Sequence, residues 1–187
     1  MHKWYEAPGE ENDVVFASRV RLARNLADLP FPARMSASDR ARVCTRVQNA
    51  LAHAPEMAFQ AVELETLDEV AAVSLVERQL CTAAFIAEPA GRMLFYTREE
   101  NASVMVNGTD HVQLLMASSG ACLPDVLAQA DNLDTVMDRT LRYAFHTKLG
   151  YLTQQIEHLG TGMLPSLELS LPALQQGGAT ERLFSDM

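Results

Sequence analysis

Cysteine is scarce and unpatterned: Cys44, Cys81 and Cys122 are three in number, widely spaced, and form no CxxC. An odd, dispersed set excludes a disulfide framework and a structural zinc site, and implies free thiols in a reducing compartment. No apolar run reaches the roughly 20 residues of a membrane span, and the opening "MHKWYEAPGEEND" lacks the apolar core of a signal peptide. The expected location is therefore the cytoplasm, with no membrane partner. Positive charge is also in deficit, since 15 Lys+Arg against 24 Asp+Glu leave a net charge of −9. That balance argues against a nucleic-acid coat, while a local basic cluster remains free to bind phosphate. Internal repeats and low-complexity linkers are absent, as are complete GxGxxG, GxxxxGK[ST] and GxSxG motifs.

What is present is an ordinary globular composition, 48% hydrophobic and 21% charged over 187 residues, long enough for a sizeable core. The pattern predicts strands near 14–20, 93–98, 102–107, 111–117 and 164–171, the middle three forming an antiparallel meander. "MAFQAVELETL" and "GYLTQQ" are further expected strands, and "LDEVAAVSLVERQL" has helical spacing. Ser36 or Ser38 is placed to cap a helix over "SDRARVCTRVQNALAHA". A long apolar stripe from Val126 to Phe145 predicts a helix over 123–146. Strands beside segregated helices make the fold class α+β, an antiparallel sheet flanked by helices. The tail "QQGGATERLFSDM" has little capacity to pack.

Three stretches are candidates for chemistry. In "SRVRLARN", Arg19 and Arg21 stand two apart and share one face of a strand, with Val20 and Leu22 turned to the core. Two planar guanidinium forks on one face suit a polyphosphate, and equally suit a pair of surface ion pairs. In "VMVNGTDHVQLL", Asn107-Gly108 is a hairpin signal that sets Asp110 and His111 at or just past the turn. An Asp-His pair without a nucleophile is either a hydrogen-bonded turn or part of a site. Gly160-Thr161-Gly162 resembles a phosphate-binding turn, but a structural turn explains it as well.

Several motifs in one order go further: "DVVFASRVRLARNLADLPFP", "SLVERQL", "SVMVNGTDHVQLL", "AFHTKLGYLT" and "LGTGMLPSLELSLPAL". Together they resemble the ATP:guanido phosphotransferases, nearest the bacterial protein-arginine kinases, over about residues 4–174, with 175–187 as a short tail. The resemblance implies one guanido-kinase-like domain over 1–187, the N-terminal part of a catalytic domain that continues further in the family. It implies chemistry that moves the γ-phosphoryl of MgATP onto a guanidinium, with Arg19, Arg21 and Arg24 at phosphate-binding positions.

The same resemblance implies that much of the machinery is missing. Thr109 stands at the catalytic glutamate, Gln113 at a phosphate-binding arginine, Gln155 at the cysteine, His158 at an asparagine and Leu164 at another arginine. Gln79 replaces a histidine that contacts nucleotide. Asp110, His111 and His158 are then remnants, and no metal ligand set is expected. The expectation is a pseudokinase that binds a protein-arginine kinase, that kinase's activator protein, or a second copy of itself. The alternatives are an active kinase completed by a partner chain, and a small module for phosphate, nucleotide (ATP or ADP, with Mg) or phosphoarginine.

Overall fold

The computed structural model describes residues 2–54 and 56–185. The first half forms β1 (Val15–Arg24), α1 (Ala37–Leu51), β2 (Phe59–Glu63), α2 (Glu69–Glu77), α3 (Ala83–Ile86), β3 (Met93–Thr97) and β4 (Ala102–Val106). Then come β5 (Val112–Ser119), α4 (Leu123–Leu141), β6 (Phe145–His146), β7 (Gly150–Tyr151), β8 (Met163–Leu169), α5 (Pro172–Gln176) and α6 (Thr180–Ser185). Six strands make one sheet in the order β2-β3-β4-β5-β1-β8, with every neighbouring pair antiparallel. No helix among the described residues is long and apolar enough to cross a membrane.

The two faces of the sheet are covered differently. Val20 and Leu22 of β1, with Met116 and Leu114 of β5, face α1 and α4 and join one core with Val43, Val47, Ala130, Leu133 and Met137. On the opposite face, Leu94 and Met105 pack with Leu64, Leu75, Leu80 and Phe85 from the α2–α3 region. That second cover stops short of β1 and β8, and the gap becomes a cavity.

Local chemistry explains the elements. Ser36 caps α1 in a reciprocal box with Asp39, and Asp68 caps α2 by accepting from the Ala71 N–H. Helix α2 ends in a two-bond turn, Gln79 N–H to Val76 O and Leu80 N–H to Leu75 O, with Gln79 at φ +61. Glycine usually takes that position. Gln79 therefore carries a side chain where a helix end normally has none.

Three expectations are corrected. The helix expected over 123–146 stops at Leu141, because the Ala27 N–H bonds Arg142 O and the Ala144 N–H bonds Asn25 O, drawing the backbone away. Phe145 leaves the apolar stripe and is exposed. The Asn107-Gly108 step is not a two-residue hairpin: only Asn107 has positive φ, and five residues separate β4 from β5, closed by Asn107 N–H to His111 O. The strand expected in "GYLTQQ" is reduced to the two residues of β7. The tail takes up the end of α5 and the whole of α6; its last two residues, Asp186 and Met187, lie outside the described residues, as does Met1 of the opening segment.

Arg24 fastens α4 to β1. Its Nε and Nη2 donate to Asp134 Oδ2 at 3.0 and 2.7 Å, and its guanidinium lies 3.7 Å from the Tyr151 ring centroid. Both charged residues are buried, and burial raises the Asp134 carboxyl above its usual range, with the Arg24 charge opposing. Removing one partner of such a pair strands the other charge. Asp134→Ala should therefore lose about 3–5 kcal/mol of unfolding free energy, measured by urea titration. A loss under about 1 kcal/mol would mean that the pair contributes as little as an exposed one.

Candidate functional site: an arginine-lined cavity

Because side chains alternate along a strand, β1 turns Arg19 and Arg21 to the partly covered face. Strand β8 presents Leu164, Ser166 and Glu168 to the same side, in register with Arg21, Arg19 and Ala17. With Gln79, Cys81 and Thr82 from the turn after α2, these residues line a cavity of about 340 Å³. Arg19 Nη2 donates to Glu168 Oε2 at 2.9 Å, and its guanidinium lies 5.4 Å from the Trp4 ring centroid. Burial, with a smaller push from Arg21, lowers the Arg19 pKa, while Glu168 acts the other way.

Three polar atoms around the cavity are buried and unpartnered among the described residues: Arg19 Nε, Arg21 Nε and Gln79 Oε1. Two unsatisfied charged donors on one cavity wall are costly unless something accepts from them. An anionic oxygen is the acceptor that suits both.

The other expected site residues are elsewhere. Arg24 faces the core rather than the cavity, since its parity along β1 is that of Val20 and Leu22 and it is bound to Asp134. Thr109 is exposed in the β4–β5 loop, Gln155 is exposed at the start of a short turn, and His158 is half-buried in it. None of the three lines the cavity. Gln113 is buried and opposite Ala23, on the face that carries Arg21.

Asp110 and His111 are fully buried and point into the fold. Asp110 Oδ1 accepts from Asn25 Nδ2 at 2.6 Å and from the Gln154 N–H at 2.9 Å. His111 Nδ1 accepts from the Leu26 N–H at 2.9 Å, which leaves Nε2 to donate to Pro30 O at 2.9 Å. The pair clasps the segment after β1 to the start of β5 and to the 152–154 backbone. Gly162 likewise has a packing role: at φ +60, an added Cβ would meet Ala23 O at 2.6 Å.

The profile described as ATP:guanido phosphotransferase, C-terminal catalytic domain, matches residues 42–187. The chain belongs to the ATP:guanido phosphotransferase family. Among curated relatives, the protein-arginine kinase of Symbiobacterium thermophilum is 34% identical over 99% of this chain and 54% of its own length. That of Moorella thermoacetica is 39% identical over 92% of this chain and 50% of its own length. The chain thus spans about half the length of the curated relatives it matches. Among solved structures, lombricine kinase superposes with a TM-score of 0.77 at 18% identity, covering 91% of this chain and 52% of that one. Substrate-free taurocyamine kinase of Schistosoma mansoni gives a TM-score of 0.76 at 22% identity, over 87% of this chain and 25% of that one. These superpositions establish the guanido-kinase fold.

Within that family fold, Glu168 and Trp4 escaped the sequence reading. The i, i+2 spacing with Leu164 and Ser166 on an edge strand was the available signal for Glu168. No periodicity pointed to Trp4, which the contacts of an irregular segment bring to Arg19.

The buried imidazole has a consequence for pH. Burial lowers the His111 pKa, with the bond to Pro30 and the Asp110 charge opposing. Below about pH 6.5 the unfolded chain takes up a proton that the folded chain resists, so stability from neutral His111 is full above that pH and falls on acidification. His111→Gln should therefore lose less stability than the parent between about pH 7.5 and 5.5 in denaturant melts. Equal losses would remove His111 as a source of the acid sensitivity.

Proposed function

We propose that this chain is a non-catalytic guanido-kinase-like protein that keeps a phosphate-binding cavity and acts as a binding or regulatory subunit. The observation that supports this is the make-up of the cavity wall: Arg19 and Arg21 remain, while Leu164 stands directly across from Arg21 in the β1–β8 register. Family chemistry needs cations spread around a migrating phosphoryl group and a base to align the guanidinium. Leu164 and Gln113 supply no charge at positions where the resemblance implies arginine, and the Thr109 hydroxyl cannot accept a guanidinium proton near neutral pH. A positioned electrostatic donor contributes ~10²–10³ in rate, and a general base ~10²–10⁴. Several such losses leave little transfer even with strong non-additivity. Arg19 and Arg21 fit a phosphoryl group, which this reading treats as a ligand and not as a group to be transferred.

The binding role rests on β8. It is the outer strand of the sheet, and Leu164, Leu167 and Leu169 on it are exposed. An exposed strand edge with apolar side chains is a template for pairing with another chain. The partner proposed is a protein-arginine kinase, with a second copy of this chain as the competing occupant. Light scattering should show a larger particle when such a kinase is added. A monomer at high micromolar concentration that ignores the kinase would leave only the small binding module.

Catalysis is tested separately. Incubation with MgATP and free arginine, creatine or protein arginine should release no ADP above background, and Thr109→Glu alone should not restore it. Arginine-dependent ADP release that Arg21→Ala abolishes would overturn the reading in favour of an active kinase.

A further inference from the structure

The cavity contains an anion of its own. Glu168 reaches from β8 across to β1, and its Oε2 accepts from Arg19 Nη2 at 2.9 Å. The Arg19 side chain keeps only 18% of its exposure, whereas Glu168 keeps 46%. The contact therefore occupies the mouth of the cavity rather than its floor. Deeper in, Arg19 Nε and Arg21 Nε remain buried and without acceptors. The exposed Ser166 and Leu164 of β8 stand across the β1–β8 ladder from Arg19 and Arg21 respectively and line the same cavity.

We infer that Glu168 is a built-in anionic occupant of half the arginine cradle, so that the cavity accepts a single phosphoryl group and discriminates against polyphosphate. The inference rests on the proposed reading that the cavity binds phosphate without transferring it. Two guanidinium charges and one carboxylate leave one net positive charge. The two Nε–H groups have no acceptor among the described residues, so a phosphoryl oxygen that reaches them need not displace the carboxylate. A second phosphoryl group would extend toward the Arg19 Nη edge and meet Glu168 at close range, where like charges repel strongly in a half-buried setting. Selectivity then comes from the repulsive element as much as from the attractive one. Because the Arg19–Glu168 pair is partly exposed, it is weak enough to be removed without unfolding the sheet.

The choice of residue is informative in its own right. On β8, alternate side chains face the cavity, so the strand contributes a hydrocarbon, a hydroxyl and a carboxylate in succession to the wall that opposes the arginines. Only the carboxylate changes the charge of the site. A glutamine at the same position would preserve length and polarity while releasing the Arg19 Nη edge, which makes Glu168→Gln the direct probe. Glu168→Ala serves as a second variant that removes the carboxylate by another route.

Calorimetric titration with inorganic phosphate, pyrophosphate and tripolyphosphate tests the proposal without involving a nucleobase or turnover. The unaltered protein should bind phosphate and gain less than about threefold in affinity on going to pyrophosphate or tripolyphosphate. Glu168→Gln and Glu168→Ala should each bind pyrophosphate at least about tenfold more tightly than the unaltered protein. Arg21→Ala should abolish binding in every background, with thermal melts confirming that each variant is folded. The inference is overturned if the unaltered protein already prefers tripolyphosphate about tenfold over phosphate. It is equally overturned if both Glu168 variants leave pyrophosphate affinity unchanged, or if no protein in the set binds any of the three anions. ADP release from MgATP reports on catalysis alone, so failure of the non-catalytic reading would appear there and not in these titrations.

Discussion

Successive side chains of a β-strand point to opposite faces, and in β1 this constraint sorts three arginines that stand close together in the chain. Arg19 and Arg21 fall on the partly covered face; Arg24, with Val20 and Leu22, falls on the face packed by α1 and α4. β1 is hydrogen-bonded on both sides, by β5 over eight residue pairs and by β8 along most of its length. A one-residue slip would put two guanidiniums into the apolar core and Val20 and Leu22 into the cavity. The Arg24–Asp134 bond fixes that register from the α4 side, because Arg24 can reach Asp134 only with this parity. Core, cavity and helix docking thus depend on one alternation.

Much of the architecture was legible because it is encoded by local period. The apolar strands β3, β4 and β5 and the Ser36 cap of α1 appear where the pattern predicts. The misplaced boundaries have a common origin. The 3.6-residue stripe continues past Leu141, yet residues 142–144 pair their backbone with 25–27, a tertiary bond that no window of sequence contains. The Asn107 turn fails as a tight hairpin for a similar reason. Its side-chain Nδ2 is drawn inward to Arg40 O and Gly91 O at 3.0 and 2.8 Å, so Asn107 serves as a buried staple rather than a turn corner.

The site was legible to a different degree. Parity alone placed Arg19 and Arg21 together, and the family resemblance singled out Gln79 and Leu164, which the fold brings to the same cavity. The same resemblance grouped Arg24, Asp110 and His111 with them, and here motif adjacency misleads. A motif records neighbours in sequence, while a site requires neighbours in space. Trp4 reaches Arg19 only because the opening segment is tied down by the Trp4 N–H to Glu99 O and by Lys3 and Arg78 closing on the buried Glu100 carboxylate.

That separation between fold-holding and charge-bearing residues bears on how such a site can change while its scaffold persists. Asn25, Asp110, His111, Arg24 and Asp134 are buried and make hydrogen bonds to backbone or to one another, with Asp110 Oδ2 buried and lacking a partner among the described residues. Replacing any of them strands a polar partner in the interior, which is costly. Thr109 and Leu164, by contrast, are exposed, and nothing in the core depends on their side chains. A glutamate or an arginine at these positions would contribute to catalysis but little to stability. Substitution at such exposed positions therefore leaves the buried clasp intact. A family motif can then stay recognisable through its structural members after its chemical members have gone. On this argument the Asp110–His111 pair is a record of the fold, and the charges on the cavity wall are the better guide to what the protein does.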